Sequence, residues 1–164
     1  MDLPDSWQTV ELTQDSEAVA LRASPPLQAV MNTFDALVAD TELLLLGAED
    51  TAVFASGSPV FVLVAQSQRL QRLSPENIVS YAEEHLPENV TIVEASTTES
   101  LTNELKGNLL INIEQGGQTW RCREQFIPDE SGTYLVATCT TFTQFPAQLA
   151  DFAIILRSFQ SLRS

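Results

Sequence analysis

The sequence is poor in the residues that build catalytic and metal sites, with one histidine, two cysteines and six glycines in 164 residues. A Ser-His-Asp triad needs a histidine as its base, and His85 is the single candidate. Cys122 and Cys139 lack the close paired spacing of zinc ligands. The scattered glycines form neither a Walker loop nor a dinucleotide-binding motif. We therefore predict that the protein is not an enzyme and that it has no cofactor or metal site.

Basic residues are also scarce, because 8 Lys and Arg stand against 22 Asp and Glu and give a net charge of −14. Such a charge opposes contact with nucleic-acid phosphates and anionic lipid. No apolar run approaches the roughly 18 residues of a membrane-spanning helix, and the first residues lack the positive and apolar regions of a secretory signal. We expect a soluble, cytoplasmic protein that binds no nucleic acid and does not insert into membranes. A secreted precursor that has been trimmed would begin in the same way.

Residues 1–164 are expected to form a single domain, since 44% of them are hydrophobic and no repeat or long linker interrupts them. Two short strands are expected before the Pro25-Pro26 stop, at 10–12 and 18–21. The spacing of Leu27, Val30 and Phe34 then predicts an amphipathic helix. Short apolar runs predict three further strands, at 43–46, 51–54 and 60–65. The last does not alternate, which is typical of a strand buried on both faces.

A second helix is expected to begin after Ser74, a good N-cap that Pro75 follows at the first helical position. Pro87 ends it. His85, near its C-terminal end, is expected to be a solvated histidine rather than a catalytic base. A strand follows at 90–93, and the stretch 95–107 is polar and ends at Gly107.

Residues 108–142 predict three antiparallel strands, joined by turns at Gly116-Gly117 and at 129–132. If both turns are symmetric, Ile113 lies opposite Trp120 and Cys122 lies opposite Cys139. Alternation then gathers the large apolar side chains on one face, which we expect to be core. This face carries Leu109, Ile111, Ile113, Trp120, Cys122, Phe126, Leu135, Ala137 and Cys139. The final helix, at about 146–162, is expected to cover it.

Two features of that apolar face leave alternatives open. Directly opposed cross-strand residues have Cβ atoms slightly too far apart for an ideal disulfide, so two buried thiols are expected at Cys122 and Cys139. A disulfide would instead indicate an oxidising compartment. Glu124 shares the face and is expected at the rim of the core, or else paired with Arg69 or Arg72.

The opposite face of the same strands carries Arg121, Arg123 and Tyr134, a basic and aromatic spot in an acidic chain. Protein interfaces favour Arg and Tyr, so these three residues are the candidate partner-binding site. The alternative is that a helix covers them and that the arginines neutralise nearby carboxylates.

Several segments together resemble the PsbP/Mog superfamily. They are residues 3–7 (LPDSW), the helix after Ser74, residues 132–137 (GTYLVA) and the closing segment 152–159, and the resemblance covers mainly 51–160. It implies an α+β fold in which an antiparallel sheet lies between helices, an α/β/α sandwich with the C-terminal helix docked on the sheet. It also implies a non-catalytic protein that holds a protein partner. Residues 27–46 depart from the pattern, because a helix is predicted where strands are expected.

These observations predict a non-enzymatic, protein-binding adaptor or chaperone-like domain. A homodimer is compatible with this reading. The alternative is a photosynthesis-linked or small-ligand-binding accessory protein. A third class, an enzyme that uses a carboxylate such as Glu124, would need that carboxyl in a cleft with a strongly raised pKa.

Overall fold

The computed structural model describes residues 3–11, 25–37, 41–49, 60–67, 74–99, 105–129 and 132–159. Within these ranges the strands are β1 (Gln8–Glu11), β2 (Thr41–Ala48), β3 (Phe61–Ser67), β4 (Val90–Glu99), β5 (Leu105–Gln115), β6 (Gln118–Asp129) and β7 (Gly132–Thr141). The helices are α1 (Pro25–Leu37), α2 (Pro75–His85) and α3 (Phe145–Ser158).

The seven strands form one sheet in the order β1-β2-β3-β7-β6-β5-β4, and every neighbouring pair is antiparallel. Helices α1 and α2 pack on one face and α3 packs on the other. The predicted α+β fold, a sheet between helices with the C-terminal helix docked on it, is therefore confirmed. Strands β1 and β4 are the two edges, and β4 has a bulge between Ile92 and Glu94.

Both hairpin registers predicted from the turns are confirmed. Ile113 lies opposite Trp120 in the first hairpin, and Cys122 lies opposite Cys139 in the second. Gly116 and Gly117 have φ values of 60° and 77°, which a type I′ turn requires at its two central residues. Because the registers are correct, all nine apolar residues assigned to one face belong to the first core.

The first core lies between the sheet and helices α1 and α2. Leu27, Val30 and Phe34 of α1 are fully buried there, as their helical spacing predicts. The expectation that the final helix covers this face is wrong, because α1 and α2 already occupy it. Helix α3 instead buries Phe152 and Ile155 against the opposite face, where they form a second core with the valines of β3.

Most element predictions hold near their boundaries. Ser74 is the N-cap of α2, and its Oγ accepts a hydrogen bond from the Asn77 backbone N–H at 3.3 Å. Strand β3 is buried on both faces, as expected. The strand predicted at 90–93 is longer than expected: β4 continues through the polar stretch to Glu99 and β5 begins at Leu105, because the two polar segments pair with each other. The strands expected at 18–21 and 51–54 lie outside the described residues.

Candidate binding groove

Helix α3 covers only part of its face of the sheet. It packs over β3 and β7, with Leu110 of β5 at the margin of this core, and a groove of about 250 Å³ lies between the helix and the outer strands β4 and β5. We call this the basic groove. Its lining residues are Glu94, Ser96, Thr98, Asn108, Leu109, Leu110, Arg123, Gln125, Ala153, Leu156 and Arg157.

Two arginines bring positive charge to the basic groove from opposite walls. Arg123 comes from β6 and is half-buried, whereas Arg157 comes from the last turn of α3 and is exposed. Within the described ranges, neither guanidinium has an ion-pair or hydrogen-bond partner. The side-chain Oε1 of Gln125, beside them, is buried and also without a hydrogen-bond partner there. The groove therefore offers charged donors and a free acceptor.

The basic residues of the described chain are concentrated on this side of the sheet. They are Lys106, Arg121, Arg123 and Arg157. Side chains alternate along a strand, so Lys106 of β5 and Arg121 and Arg123 of β6 point away from the first core, toward the side on which α3 lies. The described basic residues are consequently gathered on this side, which also carries acidic residues such as Glu94 and Glu114, in a chain whose net charge is −14.

The structure separates the three residues that the sequence grouped as a partner site. The Arg121 Nε donates to Asn112 Oδ1 at 2.8 Å, and its guanidinium lies 4.5 Å from the centre of the Phe142 ring. The Tyr134 ring packs edge-on against Phe159, with ring centres 5.6 Å apart. Only Arg123 of the three lines the basic groove.

Sequence reasoning missed Arg157 and Gln125 as groove residues. Arg157 lies in the last turn of α3, where a basic residue also suits the negative end of the helix dipole and so does not by itself indicate a site. The sequence does show that Arg157, four residues after Ala153, lies on the same side of the helix as Ala153, because residues i and i+4 share one side of a helix. No sequence signal identifies the free Gln125 acceptor, since that depends on how far α3 covers the sheet.

Glu124 lies deep in the first core, so the expectation of a position at the rim is wrong. It is 1% exposed and lies between β5 and β7, opposite Leu109 and Ala137. Its Oε1 accepts a hydrogen bond from Thr33 Oγ1 at 3.4 Å, and its Oε2 has no partner among the described residues. Arg69 and Arg72 lie outside those residues.

Burial raises the pKa of the Glu124 carboxyl to about 8, while the hydrogen bond from Thr33 acts in the opposite direction. The Thr33 hydroxyl also lies 2.7 Å from the Val30 carbonyl, which is the closer acceptor for its single proton. The carboxylate is therefore poorly solvated by the protein, and desolvation dominates. The raised pKa satisfies one condition for a catalytic carboxyl, but Glu124 lies in the core and not in the cleft that this class would need.

Cys122 and Cys139 form a disulfide, so the expectation of two buried thiols is wrong. Their Cα atoms are 4.2 Å apart, closer than the sequence-based argument assumed. Opposed residues in an antiparallel pair approach most closely where they exchange no backbone hydrogen bonds, and register alone does not reveal which pairs these are. Both cysteines are fully buried beneath α1 and α2.

The remaining sequence candidates are placed as follows. His85 is exposed at the end of α2, where it stacks on Tyr81 with ring centres 3.7 Å apart. No group of three or more His, Cys, Asp or Glu side chains suited to a metal ion occurs in the part of the chain that the structure describes. None of the helices in the described ranges is long and apolar enough to cross a bilayer.

Comparison with known proteins gives likeness at the level of fold. No family model matches the sequence, and no curated protein is significantly similar to it. Among solved structures, cyanobacterial PsbP (CyanoP) from Synechocystis is 10% identical, with a TM-score of 0.54, over 96% of this chain and 82% of its own. LpqN of Mycobacterium tuberculosis, a protein involved in cell envelope biogenesis, is 10% identical, with a TM-score of 0.52, over 94% of this chain and 77% of its own. PA94 of Pseudomonas aeruginosa, a protein of unknown function and candidate regulator, is 12% identical, with a TM-score of 0.56, over 65% of this chain and 75% of its own. The resemblance predicted from the sequence is thus confirmed as a likeness of architecture, and this chain has the fold of the PsbP-like proteins.

Proposed function

We propose that this protein is a non-enzymatic adaptor or chaperone-like domain that binds a protein partner in the basic groove. The observation that carries the proposal is the presence of two guanidinium groups, Arg123 and Arg157, that line one groove without a carboxylate partner in the described chain. Arginines are enriched at the centres of protein interfaces because their planar donors bind carboxylates and carbonyls with defined geometry. In a chain with so few basic residues, two unpaired arginines in one groove are best explained by a partner.

The size of the groove favours a protein partner over a small ligand. Small-molecule sites usually enclose about 300–1,000 Å³ and bury most of the ligand. The basic groove has about 250 Å³ and borders the edge strand β4. A groove of this size suits a few side chains of a segment that continues beyond it.

The positions of the titratable groups support a non-enzymatic role. Glu124 is enclosed in the first core, on the face of the sheet opposite the groove. His85 is on α2, which packs on that same opposite face. Neither group reaches the groove, so a ligand bound there would meet arginine, amide and hydroxyl groups and the single carboxylate of Glu94.

The buried disulfide favours an oxidising compartment over the cytoplasm that the sequence predicts. Cytosolic reductants keep most thiols reduced, whereas disulfides persist in secreted and periplasmic proteins. Thiol titration of the unfolded, unreduced protein from its native host tests this point. We expect no reactive thiol, and two reactive thiols would restore the cytoplasmic assignment.

A photo-crosslinking amino acid at Ala153 tests the proposed function. Ala153 is half-buried and lines the groove, whereas Ala147 is exposed on another side of α3 and serves as the matched control position. In native-host cells we expect a discrete cross-linked protein from position 153, absent from position 147 and lost when Arg123 is replaced by alanine. Identical products from both positions, or no product from either, would refute binding in the groove. A bound small molecule in the purified protein would support the accessory-protein alternative.

A further inference from the structure

We infer that the occupant of the basic groove is an acidic segment of the partner, held through carboxylates by Arg123 and Arg157. This inference rests on the proposed function, that the groove binds a protein, and it specifies the chemistry of what is bound. Three features of the groove carry it: the unpaired guanidinium groups, the free amide oxygen of Gln125, and an apolar side chain that continues the line of the groove along α3.

The guanidinium groups select an anion of planar shape. Each offers a fork of N–H donors that matches a carboxylate through two parallel hydrogen bonds. Because Arg123 and Arg157 come from opposite walls, a carboxylate between them, or two neighbouring carboxylates, satisfies both. Ser96 and Thr98 of β4 add hydroxyl groups to the same wall as Glu94.

Gln125 distinguishes a peptide from a simple anion. Its buried Oε1 is an acceptor without a partner in the described chain, and a buried acceptor without a hydrogen bond is unfavourable until a donor reaches it. Free dicarboxylates bring only acceptors, and hydrogen phosphate brings a single O–H donor. An acidic peptide brings both, because its side chains carry carboxylates and its backbone carries N–H donors.

Helix α3 adds an apolar position at a fixed distance from the arginine. Leu149, Ala153 and Arg157 are spaced by four residues and so share one side of the helix, and Leu149 is 46% exposed. The eight steps from Leu149 to Arg157 rise about 12 Å along the helix axis. An extended peptide covers that distance in about three to four residues. The preferred segment therefore carries an apolar side chain three or four residues from its acidic residue.

The negative net charge of the chain does not prevent binding of an acidic segment in the groove. At physiological ionic strength the Debye length is about 8 Å, so distant carboxylates are largely screened while groups in the groove are not. The local carboxylate that matters is Glu94, which lines the groove from β4. Glu94 repels an acidic ligand, so replacing it by glutamine should strengthen binding of that ligand. A merely structural role of the arginines does not predict this gain in affinity.

The probe is a fluorescein-labelled peptide of sequence GSEEGSLGSG, titrated with the full chain by fluorescence anisotropy at physiological ionic strength. Its control is GSQQGSLGSG, which differs only in lacking the two carboxylates. We expect the acidic peptide to bind and Arg157→Ala to raise its Kd by about tenfold to a hundredfold, the worth of one charged hydrogen bond. Arg157 is exposed, so this variant folds like the parent chain. Arg123→Ala should have a similar effect, and Glu94→Gln should lower Kd.

Lys106→Ala is the matched control, because it removes a positive charge from the same sheet face and Lys106 is not itself among the residues that line the groove. Its Kd should stay within about threefold of the parent value, as screening at this ionic strength requires. Equal loss in Lys106→Ala and Arg157→Ala, equal binding of both peptides, or full displacement by millimolar phosphate would overturn the inference.

The cross-linking experiment at Ala153 separates the two proposals. If it captures a partner while the acidic peptide fails to bind, the inference about acidic segments is wrong and the protein-binding function stands. If it captures nothing, the proposed function fails whatever the peptide does.

Discussion

Replacing Glu124 by glutamine should change how the stability of the fold depends on pH. The substitution keeps the shape of the side chain and an oxygen that accepts from Thr33, and it removes the ionisable proton. Because Glu124 is fully enclosed in the first core, its ionised form has almost no solvation in the folded protein. The folded state therefore favours the protonated carboxyl, whereas the unfolded chain in water does not.

The size of the effect follows from the two pKa values, about 8 in the folded protein and an ordinary value of 4.5 in the unfolded chain. Below pH 4.5 the carboxyl is protonated in both states, and its contribution to stability is fully present. As the pH rises from 4.5 to 8, only the unfolded chain releases the proton, and the free energy of unfolding falls by about 1.4 kcal/mol per pH unit. Above pH 8 both states are ionised and the loss levels off.

The parent chain should therefore lose about 3 kcal/mol relative to Glu124→Gln between pH 5 and pH 7, as measured by urea unfolding at each pH. Taking the difference between the two proteins removes the contribution of the other carboxylates, which they share. Glu84→Gln is the control, because Glu84 is an exposed carboxylate on α2, and its profile should run parallel to that of the parent chain. Parallel profiles for Glu124→Gln and the parent chain would refute the argument that burial controls this carboxyl.

Three further changes probe the fold. Reduction of the disulfide, which joins residues 17 apart, should lower the free energy of unfolding by about 3 kcal/mol through the added entropy of the unfolded chain; an unchanged urea midpoint in dithiothreitol would contradict this. Phe34→Ala, at a fully buried position of α1, should cost about 3–5 kcal/mol in urea unfolding, and a loss below 1 kcal/mol would mean that α1 is not part of the core. Gly132→Ala should lower the melting temperature more than Gly116→Ala. Both glycines have positive φ, but a Cβ at Gly132 would lie 2.7 Å from the Ser67 carbonyl oxygen, whereas a Cβ at Gly116 meets nothing within 4 Å; equal losses would argue against that close contact.

The structural features that the sequence predicts correctly are those governed by neighbouring residues. Gly116-Gly117 is a turn with its own conformational requirement, and the register of β5 and β6 follows from it. Alternation then assigns each side chain to a face. The cap at Ser74 and the apolar spacing of α1 likewise depend only on residues a few positions apart in the chain. For these elements, interactions within a few residues outweigh distant contacts.

The candidate site, unlike the hairpins and the helix cap, could not be predicted from local sequence patterns. The sequence shows that Arg123 lies on the face opposite the first core, but not that Arg157 comes from α3 to the same groove. Whether Arg123 and Arg157 line the same groove depends on how α3 is placed across the sheet and on how much of the outer strands it covers. Both depend on packing between segments far apart in the chain, which no local pattern encodes.

The sequence by itself therefore determined the turns at 116–117 and 129–132, the registers of β5, β6 and β7 and the faces of those strands, because hydrogen-bonding geometry and side-chain alternation act over a few residues. Only the tertiary structure decided which helix covers which face. That choice encloses Glu124 under α1 and α2 with its pKa raised to about 8, and it opens the basic groove beside α3. The physical reason is that burial, and with it the solvation of every charged group, is a property of the whole packed chain.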